Sequence, residues 1–431
     1  MVLTAATSRN TRQEFDIMKF HRSYPFFSFA LILLLLVGAN LSLVKSQSRR
    51  QPPTTNEKKN KRPGETKEGE KPKEEPVPAD IVPSKPQDIE KLSITTQVVN
   101  VDAVVYHKKT GQIVTGLKKP NFALFADGVE QTITNFSTPE APITVAMVVE
   151  YSKWTEDLGL AGSGGYEPGT YEVIRPMAMF LSQFIKPPDD YASVVAFDIR
   201  PTPLTDFTND PGRLSAVVNL LLRNQPAFRE TNLFDALKFV LVGGRGDSVV
   251  LDENKSDKSD YSGLVSVQGR RRAVILIASG IDTFSRINYS DARKVLQNSG
   301  IPVYIVGTAN MFKKKYGDQL GATDGLLGQP GRMTFLQADN TLTTFAKETG
   351  GAFFPYTFEG EIPKILQNIN ALLRSQYSLG FNPGDAQDGK QHKLRVSVDV
   401  NGDGTYDDKE YFVQSRQFYN SPKPPTAKKT D

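Results

Sequence analysis

A doubly wound, mostly parallel α/β sheet, inserted in or flanked by a small β-sandwich unit, is the fold class predicted by this 431-residue sequence. Three observations predict it. The runs VAMVV (145–149), ASVVAF (192–197), RAVILIA (272–278) and IPVYIVG (301–307) are nearly unbroken apolar stretches, as in strands covered on both faces. Between such runs stand amphipathic segments. Val173, Met177, Phe180, Leu181 and Phe184 mark one; Leu233, Phe234, Leu237, Val240 and Leu241 a second; Ile362, Ile365, Leu366, Ile369, Leu372 and Leu373 a third. On either side of this region the chain turns to alternating, strand-like sequence. Strand–helix alternation at this spacing gives a parallel sheet, whose ligand site lies at the carboxyl ends of its strands.

Taken in order, residues 1–47 read as a signal peptide or membrane anchor. Lys19, His21 and Arg22 precede an uncharged apolar stretch from Phe26 to Val44, and the start is Met1 or Met18. At ~19 residues the stretch is long enough to remain as an anchor. Residues 48–90 are rich in Pro, Lys and Glu and hold no aromatic residue. Such a linker cannot bury enough apolar area to offset its chain entropy and is expected to be a disordered tether. The expected location is therefore outside the cytoplasm: periplasmic, membrane-anchored or secreted.

Residues 91–141 form an N-terminal β unit. ITTQVVNVDAVVYH alternates, and NFALFADGVEQTITNF reads as strand, Asp127-Gly128 turn, strand. Residues 142–376 carry the α/β domain, in which Pro176 must sit in the first turn of its helix or kink it. In 377–420, YSLGFNP, KLRVSVDV and KEYFVQSRQFY are strand-like and are expected to complete one sandwich with the first β unit. Residues 421–431 form a polar tail, expected to be disordered.

Composition excludes several chemistries. The chain has no cysteine, hence no disulfide, thiolate zinc site or cysteine nucleophile. His21, His107 and His392 are far apart in sequence, which argues against a histidine-centred hydrolase. The net charge of +4 is small, with its basic bias in the N-terminal region and at Gly269-Arg270-Arg271-Arg272, so no nucleic-acid partner is expected. AGSGGYEPGT (161–170) lacks the Gly-Lys-Ser/Thr ending of a phosphate cradle and reads as a loop beside a strand tip. Gly244-Arg245-Gly246-Asp247-Ser248 is read as surface-loop chemistry. There is no nucleophile elbow or dinucleotide fingerprint, and the expectation is that the protein is not an enzyme.

The order of these parts resembles a known family. With the flanks VVNVDAVVYHKKTGQIVTGLKKPNFALFADGVEQTITNF and QYSLGFNPGDAQDGKQHKLRVSVDV, the chain is similar over roughly residues 92–418 to von Willebrand factor A (VWFA)-related proteins of the acidobacterial type. The resemblance implies a metal-ion-dependent adhesion site. There an Asp-x-Ser-x-Ser run, a distant Thr and a distant Asp hold Mg2+, and an acidic side chain of a protein partner completes the coordination. On this chain the run falls on Glu150, Ser152 and Trp154, the Thr on Thr231, and the distant Asp on Ser279, with Asp282 three residues on. Glu150 keeps a carboxylate one methylene longer, Ser152 and Thr231 match, and Trp154 and Ser279 have lost their ligands. Two outcomes follow. Glu150, Ser152, Thr231 and Asp282 hold Mg2+ or Ca2+ in a degenerate site; or the face is closed or metal-free and meets its partner through Trp154 and Ser279. Trp154 is bulky enough to pack over the strand tip, and Thr231 would also serve as the N-cap of the helix that follows.

A second candidate is DVNGDGTYDDKE, whose Asp399, Asn401, Asp403, Thr405, Asp407 and Glu410 match the ligand positions of a twelve-residue calcium loop, with Gly404 at the turn. Strands flank it where an EF-hand has helices, so an ordinary hairpin turn at Asn401-Gly402 or Asp403-Gly404 competes with Ca2+ binding. The sequence therefore points to an exported, envelope-associated protein that binds another protein by the carboxyl edge of its α/β sheet. A calcium-stabilised structural envelope protein is the alternative.

Overall fold

The computed structural model describes residues 98–139, 141–158, 171–246, 259–268, 270–325, 330–383 and 388–421. The leader and linker, the 161–170 loop, Asp247 and Ser248, and the tail after Ser421 lie outside the described residues. Among the described residues no helix is long and apolar enough to cross a membrane.

Four strands come first: β1 (Val99–His107), β2 (Phe122–Ala126), β3 (Val129–Gln131) and β4 (Ile133–Ser137). The α/β region follows with β5 (Ile143–Glu150), α1 (Lys153–Leu158), α2 (Tyr171–Phe184), β6 (Tyr191–Phe197), β7 (Pro201–Thr208), α3 (Pro211–Arg223) and α4 (Leu233–Val242). The short strands β8 (Gly244–Gly246) and β9 (Ser259–Tyr261) precede β10 (Arg271–Ala278), α5 (Tyr289–Ser299), β11 (Val303–Gly307), α6 (Ala309–Tyr316), α7 (Arg332–Thr349), β12 (Phe353–Pro355) and α8 (Ile362–Arg374). The chain closes with β13 (Tyr377–Phe381), β14 (Gln391–Val398), β15 (Tyr411–Ser415) and β16 (Phe418–Asn420).

The central sheet runs β12-β11-β10-β5-β6-β7, parallel except for β7 at one edge. This is the doubly wound order, which reverses direction between β5 and β10. Both faces of β5 are buried, because Val145, Met147 and Val149 pack under α2, α3 and α8 while Ala146 and Val148 pack under α4, α5 and α7. That is why its sequence shows no polar alternation. Pro176 falls inside α2, five residues past Tyr171, rather than in its first turn. It withholds the N–H that the Glu172 carbonyl would have accepted, and the buried Tyr356 hydroxyl donates to that carbonyl instead, at 3.3 Å.

The remaining strands build two four-stranded antiparallel sheets, β15-β1-β13-β4 and β16-β14-β2-β3. Each interleaves strands from both sides of the α/β region, with Val99 opposite Phe381 and Phe122 opposite Val398. Val101, Ala103 and Val105 of β1 face Leu124, Val396 and Val398 across a core centred on Tyr377 and Phe381. Val104, between them, turns the other way into the α/β core. Asp127 and Gly128 both have positive φ (49° and 84°), the backbone of a tight two-residue turn between β2 and β3.

The 399–410 segment is not a hairpin. β14 and β15 lie in different sheets, so these residues cross from one sheet to the other. The arginine cluster is also structural: Arg271 donates to the carbonyls of Thr138, Pro139 and Leu373, and Arg272 to those of Val265 and Val267.

His392 of β14 stacks on Tyr419 and bridges Asp127 (2.8 Å) and Asp388 (3.1 Å). Burial opposes its charge, but the two carboxylates outweigh burial and raise its pKa above 6.5. A raised folded-state pKa contributes stability that is fully present below about 6.5 and is lost as pH rises through the folded value. Unfolding free energy measured with urea should therefore fall between mildly acidic and mildly alkaline pH, and His392→Gln should flatten that slope. Equal slopes in the two proteins would refute the assignment.

Candidate functional site

β5 and β10 lie side by side in parallel, with Val149 opposite Ile277, so their carboxyl ends meet at the point where the strand order reverses. Glu150, the last residue of β5, is fully buried there. Its longer side chain reaches across to β10. One carboxylate oxygen accepts from the Ser279 amide (2.7 Å) and hydroxyl (2.8 Å); the other accepts from the Ser152 hydroxyl (3.1 Å). Burial pushes the Glu150 carboxyl up in pKa, and the Ser279 and Ser152 hydrogen bonds only partly pull it back.

The network continues outward. The Ser279 hydroxyl accepts from the Ile281 amide (3.2 Å), and the fully buried Thr231 hydroxyl donates to the Ile281 carbonyl (2.7 Å). Thr231 is not the N-cap of α4; Asn232 holds that position. The free amides at the start of α4 are capped from another loop: Ser285 accepts from Phe234 (3.0 Å) and Asp235 (3.2 Å), and Asp282 accepts from Ser285 (2.5 Å). Asp282 thus faces the helix start rather than Glu150, and burial raises its pKa.

Trp154 does not present itself to a partner. It is 6% exposed, packs with Ile281, Ala309, Phe335 and Ala338, and has the Arg229 guanidinium 4.3 Å above its ring. Ser279 is equally inaccessible at 1%. Both stand in this structure as packing and hydrogen-bonding residues, because the α1 turn folds the indole back over the strand tip.

The donor set does not suit a hard divalent cation, which takes six or more oxygen ligands and commonly more than one carboxylate. Only one carboxylate is present, and both its oxygens already accept hydrogen bonds. Where the family has its distant Asp, Ser279 presents an N–H, a positive pole aimed into the same space. Among the described residues no three acidic or histidine side chains stand where they could jointly hold an ion.

Large apolar side chains are exposed near the closed tip: Phe228 and Phe284 in the loops beside it, and Met333 and Leu336 on the first turns of α7, next to the Phe335 that packs with Trp154. The Phe228 carbonyl accepts from the Lys153 amide, and the Phe284 amide donates to the Thr231 carbonyl, which fixes two of them beside the tip. Sequence reasoning missed these residues, since Phe228 and Phe284 stand singly in loops and Met333 and Leu336 lie on the exposed side of α7, whose buried positions are diluted by polar ones. Thr283 and Ser285 were missed too, although the polar run after Ser279 was their signal.

In the 399–410 crossing, Asp399 accepts backbone N–H groups from Gly402 (2.7 Å), Asp403 (3.3 Å) and Gly404 (2.8 Å). Asp407 accepts from Val400 (2.8 Å) and Asp403 from Thr405 (2.8 Å), while Asn401, Thr405 and Glu410 are exposed.

No family model matches the chain, and no curated protein matches it. Among solved structures the chain is similar to the PilB minor pilin of Streptococcus sanguinis, at 13% identity and a TM-score of 0.38, over 54% of this chain and 61% of that one. It is similar to proximal thread matrix protein 1 from the mussel byssus, solved with a zinc-occupied metal-ion-dependent adhesion site, at 13% identity and a TM-score of 0.36, over 57% and 49%. It is also similar to the vWF domain of the type V pili tip protein Mfa5 of Porphyromonas gingivalis, at 14% identity and a TM-score of 0.34, over 55% and 96%. The chain thus spans about three fifths of the pilin and about half of the byssus protein. Its own architecture is a doubly wound, mostly parallel α/β sheet with added antiparallel β-sheets.

Proposed function

We propose that this is an exported, envelope-associated, non-enzymatic protein that binds another protein through the carboxyl end of its α/β sheet. One observation carries the reading: large apolar side chains are exposed beside the closed tip, Phe228 and Phe284 in its loops and Met333 and Leu336 at the start of α7, with Phe284 and Leu336 each 56% exposed. Exposed apolar surface of this kind marks interaction sites where it is contiguous. Lys153, Arg286 and Arg332 are exposed at the same end together with Glu230 and Asp324, so apolar anchors define the partner more than net charge does. Export rests on the leader sequence and the tether that follows it. Phe284→Asp and Leu336→Asp should each abolish capture of the partner from envelope extracts without lowering the melting temperature. Undiminished capture by both variants would sink the reading.

A calcium-stabilised structural role is the second reading. It is favoured by the calcium-loop spacing of Asp399, Asn401, Asp403, Asp407 and Glu410 on a segment curved by Gly402 and Gly404 at positive φ (75° and 87°). Calcium should raise the melting temperature of the wild type and leave Asp403→Ala unmoved. A wild type indifferent to calcium removes this reading.

A further inference from the structure

We infer that the hydrogen-bonded chain Ser152–Glu150–Ser279–Ile281–Thr231 takes the place of the adhesion-site cation, so that this strand tip is cross-linked by protein groups alone. A coordinated ion would tie together the end of β5, the end of β10 and the loop before α4. The same three segments are tied here without one. Glu150 bridges β5 to β10 through Ser279 and holds the turn after β5 through Ser152. Ile281, two residues past Ser279, receives the Thr231 hydroxyl and so brings in the loop before α4. Thr283 adds a second tie, its hydroxyl accepting from the Thr231 amide at 2.9 Å and its amide donating to the Thr231 carbonyl at 2.9 Å.

Two departures from the family pattern work as a pair. An aspartate at position 150 would be one methylene too short to reach Ser279, and an aspartate at position 279 would set two carboxylates against each other with no cation between them. Glutamate with serine turns that repulsion into a donor–acceptor contact. The third departure seals the result, since Trp154 lies against Ile281 and Phe335 where the family's second serine would offer a hydroxyl. Hydroxyl protons are already committed, to Glu150 from Ser152 and to the Ile281 carbonyl from Thr231. A cation entering would have to displace the Ser279 and Ser152 donors from Glu150 and would find only one negative charge.

On the proposed interaction reading, the consequence is that partner capture needs no divalent ion and survives chelation. Trp154 makes the underlying claim testable without any partner. It is the only tryptophan in the chain and sits against the tip, so its emission reports this place alone. The full-length protein carrying Asp403→Ala, which removes the other candidate ion site, is titrated with Mn2+ and with Mg2+ while tryptophan emission is followed. The expected result is no saturable change, and a tryptophan-detected melting midpoint identical in Mg2+ and in chelator. Ser279→Asp, which restores a second carboxylate, should gain saturable Mn2+ quenching. A saturable response in the Ser279-containing protein, or a midpoint raised by Mg2+, overturns the inference. That outcome would leave the interaction reading standing, since capture is measured separately with the Phe284 and Leu336 variants.

Discussion

Glu150→Ala is expected to lower the unfolding free energy by about 3 kcal/mol or more, the range for removing one partner from a buried, fully engaged polar cluster. Three donors lose their acceptor at once: the Ser279 amide, the Ser279 hydroxyl and the Ser152 hydroxyl. The hydroxyls can rotate towards other acceptors, but the amide is fixed by the backbone and is left buried without a partner. The cavity left by the side chain adds to the loss. Glu150→Gln should cost less, about 1–2 kcal/mol, because its carbonyl keeps one set of contacts while its amino group opposes the other. Urea denaturation followed by Trp154 emission measures both. An alanine variant within about 0.5 kcal/mol of wild type would mean that the cluster does not hold the tip together.

Gly351→Ala is expected to be at least as damaging. A Cβ at this position would stand 1.9 Å from the Val303 carbonyl oxygen and 2.5 Å from its carbon. These are backbone atoms of β11, at the middle of the sheet's outer half. Gly351 cannot retreat, because its amide donates to Ala346 (2.9 Å), its carbonyl accepts from Gln414 (2.8 Å), and the Ile305 amide is bonded to Ala352 just beyond (2.8 Å). Overpacking a side chain typically costs about 1–3 kcal/mol; a clash with pinned backbone on both sides belongs above that range, at about 4 kcal/mol. Thermal melting should fall by roughly 10 °C. A variant melting at the wild-type temperature would show that α7 and β12 can slide relative to β11.

Much of the fold was legible because its strongest signals are local. The unbroken run VAMVV has no polar alternation for the reason seen in the structure: helices cover both of its faces. The third amphipathic segment, Ile362 to Leu373, falls within α8, and all six of its marked residues are buried. Helices α3, α5 and α7 were not read, since their buried positions are diluted by polar ones, as in RMTFLQADNTLTTFAKET. The candidate site was legible as a set of residues but not as an arrangement. Glu150 and Ser279 sit more than a hundred residues apart, and only the parallel register of β5 with β10 decides that one reaches the other. The inward turn of Trp154 and the outward turn of Asp282 likewise depend on packing from Phe335 and capping by Ser285, neither of which has a sequence period.

The interleaving of the sandwich has a consequence for how the chain is made. Apart from a local bridge between Tyr106 and Ile113, the strands that pair with β1 among the described residues are β13 and β15, and the second neighbour of β2 is β14, each more than two hundred residues downstream. During synthesis the first strands to emerge must therefore wait, with their hydrogen-bonding edges open, until nearly the whole chain has followed. The α/β region, whose contacts are more local, can form in the interval and bring the two ends towards each other. Newly made chains are most vulnerable to edge-to-edge association in that interval.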